Sequence, residues 1–172
     1  MIHTVAHRLV WIAPLLAVFA GVACAPALNW RVVQLGHLST VLPCKPDTAT
    51  RSVPLAGQTV SMDMAGCEVA GALFAISRLQ APDAAQAVNW MASLRAASLA
   101  NVQMVKVQSQ ANSGDAQTSF DVLVDGKRQD GSSLQARFKW QVLGADVYQI
   151  AAYAPSLKSE QTEPLLRELQ LR

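Results

Sequence analysis

Apolar and polar residues alternate with a period of two in several segments of this 172-residue chain. The clearest segment is 134–142, where Leu134, Ala136, Phe138, Trp140 and Val142 share one side and the residues between them are polar. Successive side chains of a strand point to opposite faces, so this pattern predicts a strand with one buried face. Patterns of apolar and β-branched residues predict further strands at 31–35, 37–42, 51–55, 59–65, 71–77, 102–108, 119–124 and 147–153.

Helical spacing of apolar residues follows Pro82-Asp83. Asp83 can cap this helix, and Gln86 three residues later completes the spacing of a capping box. The apolar positions that recur at this spacing are Ala84, Ala87, Val88, Met91, Leu94 and Leu99. Arg95 and Ser98 fall on the same side, so the apolar stripe weakens in the last turn.

A second, short helix is predicted from about Thr162, with Pro164 tolerated in its first turn. Turns are predicted at Ala65-Gly66, Asp125-Gly126 and Asp130-Gly131. The resulting order is strands, helix, strands, helix, with short connections. It predicts an α+β fold, a mainly antiparallel β-sheet with helices packed on one face, in a single domain over 28–172.

Residues 1–27 have the composition of an export signal. Arg8 and the free amine precede an uncharged run from Leu9 to Ala23, and Ala23-Cys24-Ala25 offers the small-x-small pattern of a cleavage site. Two alternatives stay open. One is lipidation of Cys24, which lacks the usual branched residue three positions earlier. The other is retention of the uncharged run from Leu9 to Asn29, about 20 residues, as a membrane-spanning anchor. All three place the domain outside the cytoplasm, in the periplasm or an equivalent compartment. The membrane is then contacted only through this segment, if it is uncleaved.

Removal of that segment leaves two cysteines, Cys44 and Cys67, in an oxidising compartment. One histidine and two cysteines cannot supply an ordinary zinc site, and the chain has no Cys-x-x-Cys redox motif. We therefore expect a structural disulfide. Because strands two places apart lie about 9.5 Å from each other, either the strands preceding the two cysteines are neighbours or the loop at Cys44 bends inward.

The charge pattern argues against a nucleic-acid partner. Lys and Arg number 14 against 12 Asp and Glu, and no basic run is present. Arg137 and Lys139, on the polar side of the clearest strand, are candidate contacts for an acidic partner; a solvated face is the alternative.

Residue patterns for catalysis, cofactors or metals are missing from the sequence. His37 is the one histidine of the predicted domain and has no acidic neighbour in sequence, so we interpret it as a strand-edge residue rather than a general base. Asp121 and Asp125 are interpreted as solvated strand ends. Asp115, Asp125 and Asp130 lack the spacing of a calcium loop. We expect no cofactor and no metal.

The element order, with Gln135-Ala136-Arg137-Phe138, the Val147-Tyr148-Gln149 strand and a Leu-rich C-terminal helix, resembles the Mog1/PsbP-like group. It resembles in particular small exported proteobacterial proteins of that group with Leu-Pro-Cys-Lys-Pro and Gly-Cys-Glu elements. The resemblance implies a small antiparallel sheet flanked by helices and a binding or accessory role.

These observations predict an exported, non-enzymatic binding or accessory protein with an unknown protein or small-ligand partner. Two alternatives remain. A small-ligand or lipid carrier would require an apolar cavity between sheet and helix, and a hydrolase with an unrecognised site would require a pocket holding a perturbed carboxylate.

Overall fold

The computed structural model describes residues 28–111 and 118–172. The predicted export segment with Cys24, and residues 112–117 with Asp115, lie outside the described residues. Within them the elements are β1 (Arg31–Leu35), β2 (Leu38–Leu42), β3 (Asp47–Leu55), β4 (Gln58–Val69), β5 (Ala72–Gln80), α1 (Ala84–Asn101), β6 (Lys106–Ala111), β7 (Ser119–Lys127), β8 (Ser133–Leu143), β9 (Asp146–Ala154), α2 (Ser159–Arg167) and β10 (Gln170–Leu171).

Seven strands form the main sheet in the order β3-β4-β5-β9-β8-β7-β6, and every neighbouring pair is antiparallel. The predicted α+β class with a mainly antiparallel sheet is therefore confirmed. The alternation in β8 is also confirmed, because Leu134, Ala136, Phe138 and Trp140 are all buried. A second sheet, β1-β2-β10, contains the first predicted strands.

Helix α1 packs on one face of the main sheet. Asp83 caps it as predicted, with its Oδ1 accepting a hydrogen bond of 2.8 Å from the backbone N–H of Gln86. The helix contacts β8 and β9 and also the end of β3, although three strands separate β3 from β8 in the sheet. The sheet must therefore curve around the helix, and the face that carries α1 is concave.

The prediction that both helices pack on one face is wrong. Leu165 of α2 belongs to a second core with the small sheet, on the convex face of β4, β5 and β9. The physical reason lies in β9, which is apolar on both faces: Val147 and Ala151 pack toward α1, whereas Ile150 and Ala152 pack toward α2 and the small sheet. A strand buried on both faces requires a covering layer on each side.

Two glycines that we predicted in turns lie inside strands. Gly66 lies in β4 and pairs with Asp47 of β3 and with Ala75 of β5. Gly126 lies in β7 and pairs with Leu134 of β8. A Cβ atom at Gly126 would lie 2.1 Å from the carbonyl oxygen of Val102. This glycine therefore permits close approach of the backbone at the end of α1 instead of reversing the chain.

Several boundaries also differ from prediction, most clearly at the end of α1 and at the start of α2. Val102 is the C-cap of α1, so the strand predicted at 102–108 starts only at Lys106. Helix α2 begins at Ser159, so Pro164 lies inside it and not in its first turn. In the described part of the chain, neither helix is long and apolar enough to cross a membrane.

The predicted pairing of Cys44 with Cys67 is present, with a Cα–Cα distance of 5.9 Å. Cys44 follows β2 of the small sheet, and Cys67 lies within β4 of the main sheet. Both arrangements expected from the sequence assumed a single sheet, whereas the bond joins two sheets. It fastens the small sheet to the convex face.

Candidate ligand-binding groove

Helix α1 covers only part of the concave face, and the remainder forms an open groove. One part, of about 890 Å³, lies between the C-terminal half of α1, the end of β3 and the turn after β7. It continues into a second part of about 510 Å³ over β4, β5 and β9. Both parts are lined by Met62, Arg128, Leu134, Gln149 and Tyr153. Their volumes fall within the range of small-molecule sites.

The position of the groove follows from side-chain size along β5. Leu79 is buried in the core beneath α1, but Ala75 and Ser77, on the same face of the strand, line the groove. Such small side chains cannot fill the space that the curved sheet encloses. The groove therefore opens where the sequence of β5 changes from large to small residues.

Most of the lining is apolar. Its largest aliphatic and thioether side chains are Leu55, Met62, Met64, Leu73, Leu94 and Leu134. Of these, Leu73 is 44% exposed. Methionine side chains are flexible and polarisable, so they adapt to ligands of different shape. This wall suits an aliphatic chain.

Gln149 places an amide group among these apolar side chains. Its Oε1 accepts hydrogen bonds from Trp140 Nε1 at 2.8 Å and from Ser98 Oγ at 2.7 Å. The indole nitrogen can only donate, so these bonds fix which end of the amide is oxygen. None of the described residues accepts a hydrogen bond from Gln149 Nε2. Both amide hydrogens are therefore available at the groove.

Arg128 adds a cation at the start of the turn between β7 and β8. Its Nη1 donates to the carbonyl oxygen of Ser133 at 3.2 Å and lies 3.5 Å from Ser132 Oγ. No ion pair joins it to a carboxylate among the described residues. The charge of Arg128 contributes to the lowered pKa of Asp130 in the same turn, but no carboxylate among the described residues binds the guanidinium directly.

Tyr153 supplies the third polar group of the groove. Its ring packs edge-on against Phe138, with 5.4 Å between the ring centroids. Burial raises the pKa of the Tyr153 hydroxyl to about 12. The phenol is therefore protonated at neutral pH and can donate a hydrogen bond.

Alkaline titration provides a test of this environment. The chain has two tyrosines, and burial also raises the pKa of Tyr148. We expect the midpoint of the phenolate absorbance of the folded protein to lie above pH 10, the ordinary pKa of tyrosine. A raised pKa in the folded state stabilises the fold below pH 10, and that contribution is lost as the pH rises through about 12. Tyr153 alone should lower the free energy of unfolding by about 2–3 kcal/mol over that interval. An ordinary midpoint in the folded protein would contradict this placement.

The predicted partner contacts lie on the opposite, convex face. Arg137 donates two hydrogen bonds to Asp121, from Nε to Oδ1 at 2.7 Å and from Nη2 to Oδ2 at 2.9 Å. Asp121 is buried, so its interpretation as a solvated strand end is wrong. Lys139 is half-buried directly opposite Asp121 on the next strand. The structure thus places Arg137 in an internal pair, and the role of both residues in partner binding stays a prediction.

His37 lies in the turn between β1 and β2, one residue before the strand that was predicted to include it. Its backbone N–H donates to the Tyr148 hydroxyl at 2.9 Å, and that hydroxyl donates to Asp146 Oδ2 at 3.1 Å. Arg78 Nη2 donates to Asp146 Oδ1 at 2.9 Å, and this bond raises the pKa of the guanidinium. These four residues, which we name the Asp146 network, fasten the small sheet to β5 and β9.

Two of the acidic residues considered for calcium, Asp125 and Asp130, accept hydrogen bonds from different partners. Asp125 accepts hydrogen bonds from Gln108 and Gln135. Asp130 accepts one from the Ser132 backbone N–H at 2.9 Å, and hydrogen bonding by Ser132 lowers the pKa of this carboxyl. Asp115 lies outside the described residues. Among the described residues, no group of three His, Cys, Asp or Glu side chains could hold a metal ion.

Sequence reasoning did not find the groove residues. Two signals were visible: Ser98 on the apolar side of α1, and Gln149 in the otherwise apolar strand β9. The structure joins these two residues by a hydrogen bond. Arg95, the other polar residue on that side of α1, lies over the Phe120 ring at 4.5 Å from its centroid.

Comparison with known proteins gives structural likeness only. No protein-family model matches the chain, and no curated protein matches it. PA94 from Pseudomonas aeruginosa, a protein of unknown function, is 17% identical with a TM-score of 0.40, over 80% of this chain and 91% of that one. A structure from Bacteroides thetaiotaomicron is 11% identical with a TM-score of 0.41, over 79% and 45%. These values carry no argument about function, and the Mog1/PsbP-like resemblance stays a prediction.

Proposed function

We propose that this protein is an exported, non-enzymatic binding protein that holds a small amphipathic ligand in the concave groove. The observation that carries the proposal is the combination of an apolar wall with available donors at Gln149 and Arg128. An elongated, mainly apolar molecule with one polar end would satisfy both. The carrier alternative considered from the sequence required an apolar cavity between sheet and helix; the groove is apolar and borders α1 but is open to solvent.

Two further observations support the proposal. The Cys44–Cys67 pair indicates an oxidising environment, as expected for a protein exported through its N-terminal segment. The order of strands, helix, strands and helix is consistent with membership of the Mog1/PsbP-like group.

Native mass spectrometry of the protein isolated from its host tests this function. We expect a chain that lacks about 25 N-terminal residues and that carries a bound species of small-molecule mass. Denaturation should release that species. A chain without bound mass would contradict the proposal that the groove holds a ligand. A full-length chain that is neither cleaved nor membrane-bound would contradict export.

A further inference from the structure

The half-buried polar groups of the groove are mainly hydrogen-bond donors. Gln149 offers Nε2, Arg128 offers Nε and Nη2, and Tyr153 offers its protonated hydroxyl, and none of these has a described acceptor. A ligand that satisfies them must therefore accept several hydrogen bonds at one end.

The acidic side chains of the groove are placed differently. Asp130 and Glu68 are both exposed, whereas Gln149 and Arg128 are half-buried. Asp130 already accepts a hydrogen bond from Ser132 at the tip of the turn after β7. The acidic groups are thus exposed to solvent, and Arg128 is the one cation among the described lining residues, with Asp130 close enough for the two charges to interact.

We propose that the groove selects a single-chain aliphatic carboxylate over uncharged amphiphiles. The carboxylate accepts hydrogen bonds from Arg128 and Gln149, and its chain lies along Met62, Met64 and Leu94. A guanidinium matches the two oxygens of a carboxylate. One cation balances one negative charge, which favours a carboxylate over a dianionic phosphate. This inference rests on the proposed function and adds the chemical class of the ligand.

Calorimetric titration of the delipidated protein with dodecanoate and with dodecanol tests the inference. We expect the wild type to bind dodecanoate at least tenfold more tightly than dodecanol, because a hydrogen bond to a charged group is stronger than one between neutral groups. Arg128→Gln should remove about tenfold of the dodecanoate affinity and leave dodecanol unchanged. Arg31→Gln, on the exposed edge of the small sheet, is the matched control and should change neither affinity.

Gln149→Glu provides a second variant. A glutamate keeps an oxygen for Trp140 and Ser98 and replaces the free NH2 group with a second oxygen. We expect it to weaken dodecanoate binding more than dodecanol binding. If this variant does not fold, Arg128→Gln decides alone, because Arg128 lies on a surface turn.

The outcomes separate the inference from the function on which it rests. Equal affinity for dodecanoate and dodecanol would overturn the proposed selection of a carboxylate, but the groove would still be a ligand site. An equal loss of dodecanoate affinity in Arg31→Gln and Arg128→Gln would also overturn the inference, because dodecanoate would then be attracted by the overall charge of the protein and not by Arg128. Failure to bind either compound would overturn both proposals.

Discussion

Replacing Asp146 by alanine should lower the free energy of unfolding by about 3 kcal/mol or more. Asp146 is 5% exposed and accepts hydrogen bonds from Arg78 and from the Tyr148 hydroxyl. Its removal leaves a half-buried guanidinium whose Nε has no partner among the described residues and whose remaining carboxylate partner, Asp63, lies 3.9 Å from Nη1. It also leaves a fully buried phenol without an acceptor. Urea unfolding followed by tryptophan fluorescence measures the loss.

Two further variants serve as comparisons for Asp146→Ala. Asp146→Asn keeps an acceptor oxygen and should be less destabilising than the alanine variant. Asp47→Ala, at the exposed start of the edge strand β3, should change the free energy of unfolding by less than about 0.5 kcal/mol. A loss at Asp146 no larger than the loss at Asp47 would show that the network does not fasten the two sheets.

Reduction of the Cys44–Cys67 bond should lower the free energy of unfolding by about 3 kcal/mol. The bond closes a loop with a sequence separation of 23 residues and joins the small sheet to β4. Its loss increases the conformational entropy of the unfolded chain. The urea midpoint of the wild type should therefore decrease when a reductant is present.

The control for this effect is the double variant Cys44→Ala/Cys67→Ala, whose midpoint should not respond to the reductant. Alkylation should modify these cysteines of the wild type only after reduction. Ready alkylation of the untreated protein, or equal midpoints with and without reductant, would contradict a structural disulfide.

Local sequence patterns correctly predicted the strands and helices that bury only one face. The alternation in β8 and the cap at Asp83 both depend on neighbouring residues, so sequence alone was sufficient. The same reasoning failed at Gly126, because a glycine after an aspartate is typical of a turn. Its actual role, close approach to the Val102 carbonyl, depends on a contact between distant segments.

The placement of the two helices required information that periodicity does not contain. Strand β9 carries apolar residues in consecutive positions from Ile150 to Tyr153. This run indicates burial on both faces, but it does not show which helix covers which face. That choice depends on the Asp146 network and the disulfide, which fasten the small sheet to the convex face, and on the packing of α2 against β2 of that sheet.

The groove could not be predicted because it arises from sheet curvature together with small side chains. Ala75 and Ser77 are unremarkable in a strand unless the neighbouring elements leave space above them. Gln149 was visible as a polar residue in an apolar strand, but its free NH2 group follows from bonds to Trp140 and Ser98, which only the fold brings together.

The most direct test of the groove as a ligand site compares two alanine-to-tryptophan variants of α1. Ala97 lines the groove, whereas Ala92 is exposed outside both of its parts. Binding of the uncharged fluorescent probe N-phenyl-1-naphthylamine to each variant is measured by titration. We predict that Ala97→Trp weakens binding about tenfold or more, because an indole fills the space, and that Ala92→Trp binds as the wild type does. Equal binding by both variants, or no binding by the wild type, would contradict the central claim.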